Sequence, residues 1–384
     1  MTTLIIFLLI LSVLVLIHEL GHFMAAKANG VRVEEFGWGL PPRIIGKKFG
    51  ETTYSINLLP FGGFVKLTGE DLEQGQDDTG DLGKTGTLDP KSFAAKTPLQ
   101  RGIILTAGVF MNIVLAVVIF YIFMFVNGFK TFQMPLIFDY DFKFGETTKI
   151  GTVISGIQPG SPAEKAGLTL GEAVTAVNGR EVKDIQQFKS VLSEFAGQPV
   201  LLTLNDLKDT TYSKIRNVQV SPTEDESGKP IIGVYLGESV SISYERPLER
   251  VLVGFYHSYN VVGYSMNTLG QIVSLSFKTR DISPVSESVS GPVGIYNLVD
   301  MVLKYGGPNA WLTLFDYTAL MSLSLAIINI MPFPALDGGR VVFVLFEGVT
   351  RRKPNPKMEA VFHRFGMYFL LGFLILITIK DVVR

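Results

Sequence analysis

The chain has 384 residues, 47% of them hydrophobic, and a mean hydropathy of +0.33, which is too apolar for an ordinary soluble domain and predicts membrane spans. With 18% charged residues a polar domain is expected as well, and a net charge of −1 without a long run of either sign gives no sign of a phosphate-binding surface, so nucleic acid is not an expected partner. The absence of cysteine excludes disulfides, thiolate catalysis and cysteine metal ligands, so any zinc must be held by nitrogen and oxygen.

The first expected element is a membrane helix over residues 4–26. The apolar run Leu4 to Ile17 has no basic residues before it and no small-residue cleavage site after it, so it reads as a retained span and not as a secretory signal. The span contains His18-Glu19-Leu20-Gly21-His22. In a helix the two histidines lie one turn apart on one face and can share a metal, while Glu19 projects beside them towards an activated water. Lys27 marks the polar end of the helix, which puts His18 roughly 13 Å and His22 roughly 7 Å inside the membrane. An uncompensated Glu19 at that depth costs on the order of 3 kcal/mol. The alternative, two histidines bonded to neighbouring helices, leaves Glu19 without a role.

Short strands are expected at Val31–Gly39, Thr52–Leu58 and Gly63–Leu67, around Pro41-Pro42 and Pro60-Phe61-Gly62-Gly63. They predict either a β-loop beside the site or a small surface hairpin. A second span covers 102–126 and carries Gly108-Val109-Phe110-Met111-Asn112, which suits either a site element or ordinary small-residue helix packing. From 151 to 204 the pattern is strand, short helix, strand, helix, strand. The helices are marked by Ser161-Pro162 with Gly167 and by the apolar face Ile185, Phe188, Val191 and Leu192. Amphipathic, aromatic segments follow from Pro247 to about Ser276; they read equally as helices packed on that domain or lying at the membrane surface.

A third span is expected over 312–331, the least apolar because it includes Asp316, and a fourth over 361–379. Between them stands Asn329-Ile330-Met331-Pro332-Phe333-Pro334-Ala335-Leu336-Asp337-Gly338-Gly339-Arg340. The prolines break regular helix, which leaves Asp337 in irregular chain at membrane depth, where it suits a metal ligand and a helix N-cap equally well. A catalytic zinc takes three protein ligands, and the other histidines, His257 and His363, fall outside the depth of the motif, so a carboxylate fits better. Lys27, Arg32, Lys96 and Arg101 flank the first loop, and Arg351, Arg352, Lys353 and Lys357 the last. Both loops are thus assigned to the cytoplasm, and both termini and residues 127–311 to the outer side.

The histidine motif in a first span, Asn329-x-x-Pro332-x-Pro334-x-Leu336-Asp337-Gly338 at a third, and one Pro162-Ala163-Glu164-Lys165-Ala166-Gly167-Leu168 domain between spans two and three resemble the site-2 protease family, in its regulator of sigma-E protease branch. The resemblance covers nearly the whole chain. It implies His18, His22 and Asp337 as zinc ligands, Glu19 as general base, and Asn329, Pro332 and Pro334, together with Asn112, as residues at the substrate cleft. It names the soluble domain as a PDZ domain, although a clear Gly-Leu-Gly-Phe carboxylate loop is missing, and it makes the first loop a re-entrant β-loop beside the zinc. Ser290 to Ile295 also resembles a family segment, with no independent chemistry to explain it.

The expected molecule is a polytopic α-helical membrane protein with four transmembrane helices, a cytoplasmic-side membrane re-entrant β-loop and an extracytoplasmic α+β PDZ domain. The expected organisation runs 1–30 for the first helix, 31–100 for the loop, 101–127 for the second helix, 140–222 for the PDZ domain and 223–310 for a post-PDZ strand and amphipathic helices. Residues 311–348 then hold the third helix with its Pro-Pro-Asp segment, and 349–384 the basic loop and fourth helix. The implied function is zinc-dependent cleavage of single-span membrane proteins in the bacterial cytoplasmic (inner) membrane, after another protease has trimmed them. Anti-sigma factors and remnant signal peptides are the expected substrates, and the lipid bilayer is the surrounding partner. A membrane-anchored PDZ scaffold without activity is the competing expectation; a transporter would need an internal repeat, and none is visible.

Overall fold

Apolar runs rich in Leu, Ile, Val and Phe with no internal proline favour long membrane helices, and four form among the described residues. In the computed structural model, which describes residues 2–70, 89–169, 171–195, 197–206, 215–224, 228–305 and 310–383, helices α1 (Thr2–Ala28) and α2 (Pro98–Val126) are the first two. The others are α9 (Ala310–Ile330) and α11 (Pro356–Val383), and all four are long and apolar enough to cross a membrane. The first, second and fourth contain the corresponding expected spans, the fourth running several residues further at both ends than 361–379; the third ends at Ile330, one residue short of the expected 312–331, where the break begins at Met331.

The chain divides into two compact units, residues 1–120 with 283–384, and residues 121–282. In the first unit, α1 packs Ile10 and Leu14 against Val299 and Val302 of α8 (Pro292–Tyr305) and Ala310 and Leu314 of α9. Nearer the other end of α1, Ala26, Val31, Val33, Leu67, Ile104, Leu105 and Val344 form a second apolar cluster, joining α1 and α2 to the loop strands and to α10 (Asp337–Thr350). A buried ion pair, Arg101 Nη2 to Glu347 Oε2 at 2.5 Å, fixes α2 to α10. Arg340 on α10 also donates to Glu70, just after the loop strands.

Where three short strands are expected, the structure has two long ones, β1 (Val33–Phe49) and β2 (Thr52–Leu67), paired antiparallel. The prolines do not end them. Pro41, Pro42 and Pro60 take no partner in the ladder, whose register jumps from Leu40–Leu59 to Arg43–Asn57, so their missing N–H groups disrupt nothing. The ribbon folds on itself: Glu35 to Trp38 pair both with Gly63 to Lys66 and with Thr53 to Ile56. Part of the expected loop, residues 71–88, lies outside the described residues.

The second unit is built on a seven-stranded sheet in the order β3-β11-β4-β5-β7-β8, with β6 paired to β5. Its strands are β3 (Met134–Leu136), β4 (Glu146–Ile157), β5 (Glu172–Val177), β6 (Arg180–Glu181), β7 (Val200–Asp206), β8 (Ile215–Val220) and β11 (Val234–Ser243). It therefore reaches beyond residues 140–222 at both ends, because β11 pairs with both β3 and β4. A separate two-stranded pair joins β9 (Thr223–Glu224) and β10 (Pro230–Ile231). Helix α3 (Pro162–Lys165) starts at Ser161, whose side chain accepts from Glu164 N, and α4 (Ile185–Ser193) at Asp184, which accepts from Gln187 N at 2.8 Å. The core gathers Ile154, Leu168, Val174, Phe188, Leu192, Leu202, Leu204 and Ile232.

The amphipathic stretch forms α5 (Pro247–Val251) and α6 (Val253–Thr279), and a further short helix, α7 (Ser283–Ser288), opens the return to the first unit. Helix α6 is held to its own unit: Asn260 Oδ1 accepts from the amides of Lys143 and Phe144, and Tyr264 Oη donates to the Pro135 carbonyl.

Candidate metal centre

Helix α1 presents His18 and His22 on one buried face, at 6% and 7% exposure. Their Nε2 atoms lie 3.1 Å apart. Asp337 Oδ2 reaches the same point, 3.0 Å from His18 Nε2 and 3.4 Å from His22 Nε2. Three ligand-type atoms from residues 319 positions apart in sequence thus converge, all within 4.8 Å of one another.

The backbone that delivers Asp337 differs from the irregular chain expected for it, and also from the N-cap alternative. The break occupies Met331 to Leu336; Leu336 is the N-cap, and Asp337 is the first residue of α10. At that position its carboxylate benefits from the positive end of the helix dipole. The fourth histidine serves the turn: His363 Nδ1 on α11 accepts from the amide of Ala335, at 3.0 Å. His257 belongs to the other unit, where its Nδ1 meets Tyr244 Oη at 3.1 Å.

A cation fits this donor set. Two imidazole nitrogens and a carboxylate oxygen are a common catalytic zinc set, and with no proton or ion between them the three lone-pair sites would repel. The surroundings leave room for the group. A methyl group built on Gly108 of α2 would lie 2.4 Å from His22 Nε2 and 2.8 Å from His18 Nε2, so only glycine leaves the nitrogens uncovered. The helices meet this closely because Gly21 also has no side chain: a Cβ there would lie 2.3 Å from the Ala107 carbonyl oxygen. The small-residue packing and site readings of Gly108 therefore describe one contact.

The remaining expected residues stand around these atoms. Glu19 Oε2 accepts from Val65 N on β2 at 3.1 Å, which ties the acidic residue of the motif to the folded ribbon. Asn329 Nδ2 lies 3.4 Å from His18 Nε2. Pro332 is exposed, and Pro334 is half-buried against Gly366 of α11. Asn112 is fully buried behind His18, its amide 3.2 Å from His18 Nδ1. The ribbon beside Glu19 exposes Trp38, Leu40, Ile44, Ile45, Ile56 and Leu58.

Several contributors escape a reading of the sequence. The Ile104 carbonyl, 2.8 Å from His22 Nδ1, accepts from it, so Nε2 is the nitrogen turned towards His18 and Asp337; the Val65 amide holds Glu19. Both are main-chain groups, and nothing in a residue's identity announces them. Gly108 was marked by the sequence as a small residue of the second span; its approach to the two nitrogens was not, because it depends on the contact with Gly21 across the helices.

A family profile described as Peptidase family M50 matches residues 6–373. A Clostridium perfringens protein that bears the name of a zinc metalloprotease is 34% identical, covering 98% of this chain and 97% of its own. Zinc metalloprotease RasP of Oceanobacillus iheyensis is 30% identical over 100% of this chain and 99% of its own, and the regulator of sigma-W protease RasP of Bacillus subtilis 27% identical over 100% and 98%. A PDZ domain of an SdrC-like protein from Listeria monocytogenes aligns with 22% of this chain and 86% of its own at 23% identity, with a TM-score of 0.20 that is too low to carry an argument.

Proposed function

The chain belongs to peptidase family M50, and on that premise we propose that it is an intramembrane zinc metalloprotease that cuts the transmembrane segments of single-span proteins. The observation that carries this reading is the convergence of Asp337, at the start of α10, with His18 and His22 on α1, a helix long and apolar enough to cross a membrane, with Glu19 between the two histidines in sequence. The chemistry of the donors supports zinc, as do the names of the relatives.

His18, His22 and Asp337 would hold the ion. Zinc, when bound, supplies a Lewis acid that polarises the scissile carbonyl and acidifies water. Glu19 takes the proton from the attacking water and passes it to the leaving amine. A substrate helix hides its amides in its own ladder and must unwind before attack. The folded ribbon of β1 and β2, apolar on its exposed face and bonded to Glu19 through Val65, supports a role as the re-entrant element that holds the extended substrate by strand addition. Asn329, Pro332 and Pro334 line the same cleft, with the Asn329 amide offering a donor beside His18.

Loops rich in lysine and arginine support placing the ribbon on the cytoplasmic side and residues 127–311 outside, in the cytoplasmic (inner) membrane of a bacterium. The α+β sheet unit is read as a PDZ domain that filters substrates, admitting those already trimmed by another protease, with anti-sigma factors and remnant signal peptides as the substrate classes. The test is co-expression of wild type or Glu19→Gln with a tagged single-span substrate lacking its outer domain. Wild type cleaves it, and Glu19→Gln, with zinc still bound, is slower by about 10²–10⁴-fold. An intact substrate with both zinc-loaded proteins overturns the reading in favour of a non-catalytic scaffold.

A further inference from the structure

A metal-binding histidine needs one nitrogen bare and the other bonded to an acceptor that keeps its proton away from the metal. His22 has this arrangement, because the Ile104 carbonyl beside Nδ1 can only accept. His18 does not. The group at its Nδ1 is the Asn112 amide nitrogen, at 3.2 Å, which can only donate. Paired in this way, His18 carries its proton on Nε2, which lies 3.0 Å from Asp337 Oδ2 and can donate to it. That tautomer suits a ring with no metal, and it blocks the atom that a metal needs.

The same amide holds the alternative. Asn112 is fully buried, and its Oδ1 has no hydrogen-bond partner among the described residues. Its own carbonyl accepts from Ser322 Oγ on α9 at 2.8 Å, so its backbone is fixed while the carboxamide can turn. The two ends of an amide are nearly equal in size, and a half turn about Cβ–Cγ exchanges them without moving the helix.

We propose that Asn112 is a positioning residue for the metal: in the zinc-loaded protein its amide is turned so that Oδ1 accepts from His18 Nδ1–H, leaving Nε2 free for the ion. It then does for His18 what the Ile104 carbonyl does for His22. The difference is that a main-chain carbonyl cannot turn and a side-chain amide can, so the His18 arm alone changes between a metal-free and a metal-holding tautomer. Full burial keeps Asn112 from touching substrate and assigns it to the metal side of the site.

The proposal rests on His18 as a ligand. Its test is zinc affinity of the full chain in detergent, stripped and titrated against a competing chelator. Asn112→Ala, which removes the acceptor, is expected to bind zinc about 10–100-fold more weakly. Asn112→Asp, whose oxygens only accept, is expected to stay within a few-fold of wild type. Equal affinity in wild type and Asn112→Ala, or a loss in Asn112→Asp as large as in Asn112→Ala, overturns the proposal and leaves the ligand reading standing. A wild type that binds no zinc overturns both. Should the variants fail to fold, ¹⁵N-histidine spectra of the wild type decide it: a protonated Nδ1 on zinc-loaded His18 is expected, and an unprotonated one overturns the proposal.

Discussion

Gly108 has no side chain, and the two imidazole nitrogens use the space that leaves. A single methyl there meets both of them at less than 3 Å, so the two imidazoles would have to move. Gly108→Ala is therefore expected to fold, since α2 itself gains helix propensity, and to lose most of its zinc occupancy by elemental analysis. Full occupancy would show that the helices can part at Gly21. Much of this site was legible in residues: the spacing of His18 and His22 follows from helical geometry, and a cysteine-free chain directs the third ligand to a carboxylate. The state of His18 was not legible, because it depends on which end of the Asn112 amide faces the ring, a matter of one side-chain rotation that no spacing encodes.

The same contrast holds for elements. Long apolar helices were plain from the sequence because burial in lipid imposes length and composition on every residue. The ribbon was harder: Arg43 to Phe49 alternates poorly and follows two prolines, so its strand was not expected, yet it pairs with Thr52 to Asn57 once the bulge around Pro41 and Pro42 has reset the register. The segment Ser290 to Ile295, unexplained by its own residues, finds its reason at the far end of the chain. Asp381 Oδ2 on α11 accepts from Gly291 N at 2.8 Å and from Gly294 N at 2.9 Å, closing the first turn of α8 with a carboxylate from another helix. Lys380 donates to the Ser286 and Val289 carbonyls beside it. Asp381→Ala should therefore free two donors of α8 and loosen its hold on α11, lowering the thermal midpoint by a few degrees while zinc content stays unchanged. A midpoint equal to wild type would mean that water replaces the carboxylate at no cost.

The molecule has two compact units, and each carries a different chemical sensitivity. In residues 121–282, burial pushes the His257 imidazole down to about 3, and Tyr244 Oη, which accepts from Asn260, has its proton to give to Nδ1. The unfolded chain takes up a proton below about 6.5 that the folded unit refuses until about 3. This contribution to stability is complete above 6.5 and declines through that window as pH falls, by up to about 1.4 kcal/mol per pH unit. Protection factors across Tyr244 to Asn260, measured relative to the intrinsic exchange rate at each pH, should fall with acid over this range, and His257→Gln should flatten the dependence. The other unit answers to zinc. With the proposed ligands His18, His22 and Asp337, a bound ion would join α1 to α10 and favour the folded form by mass action, about 2.7 kcal/mol when zinc stands at 100 times its dissociation constant. Stripping the ion with a chelator should therefore speed hydrogen exchange in residues 1–120 and 283–384, at the ends of α1 and α10 first, and leave 121–282 as protected as before. A loss of protection spread evenly over both units would show that their stabilities are coupled, and the metal would then hold the whole chain together.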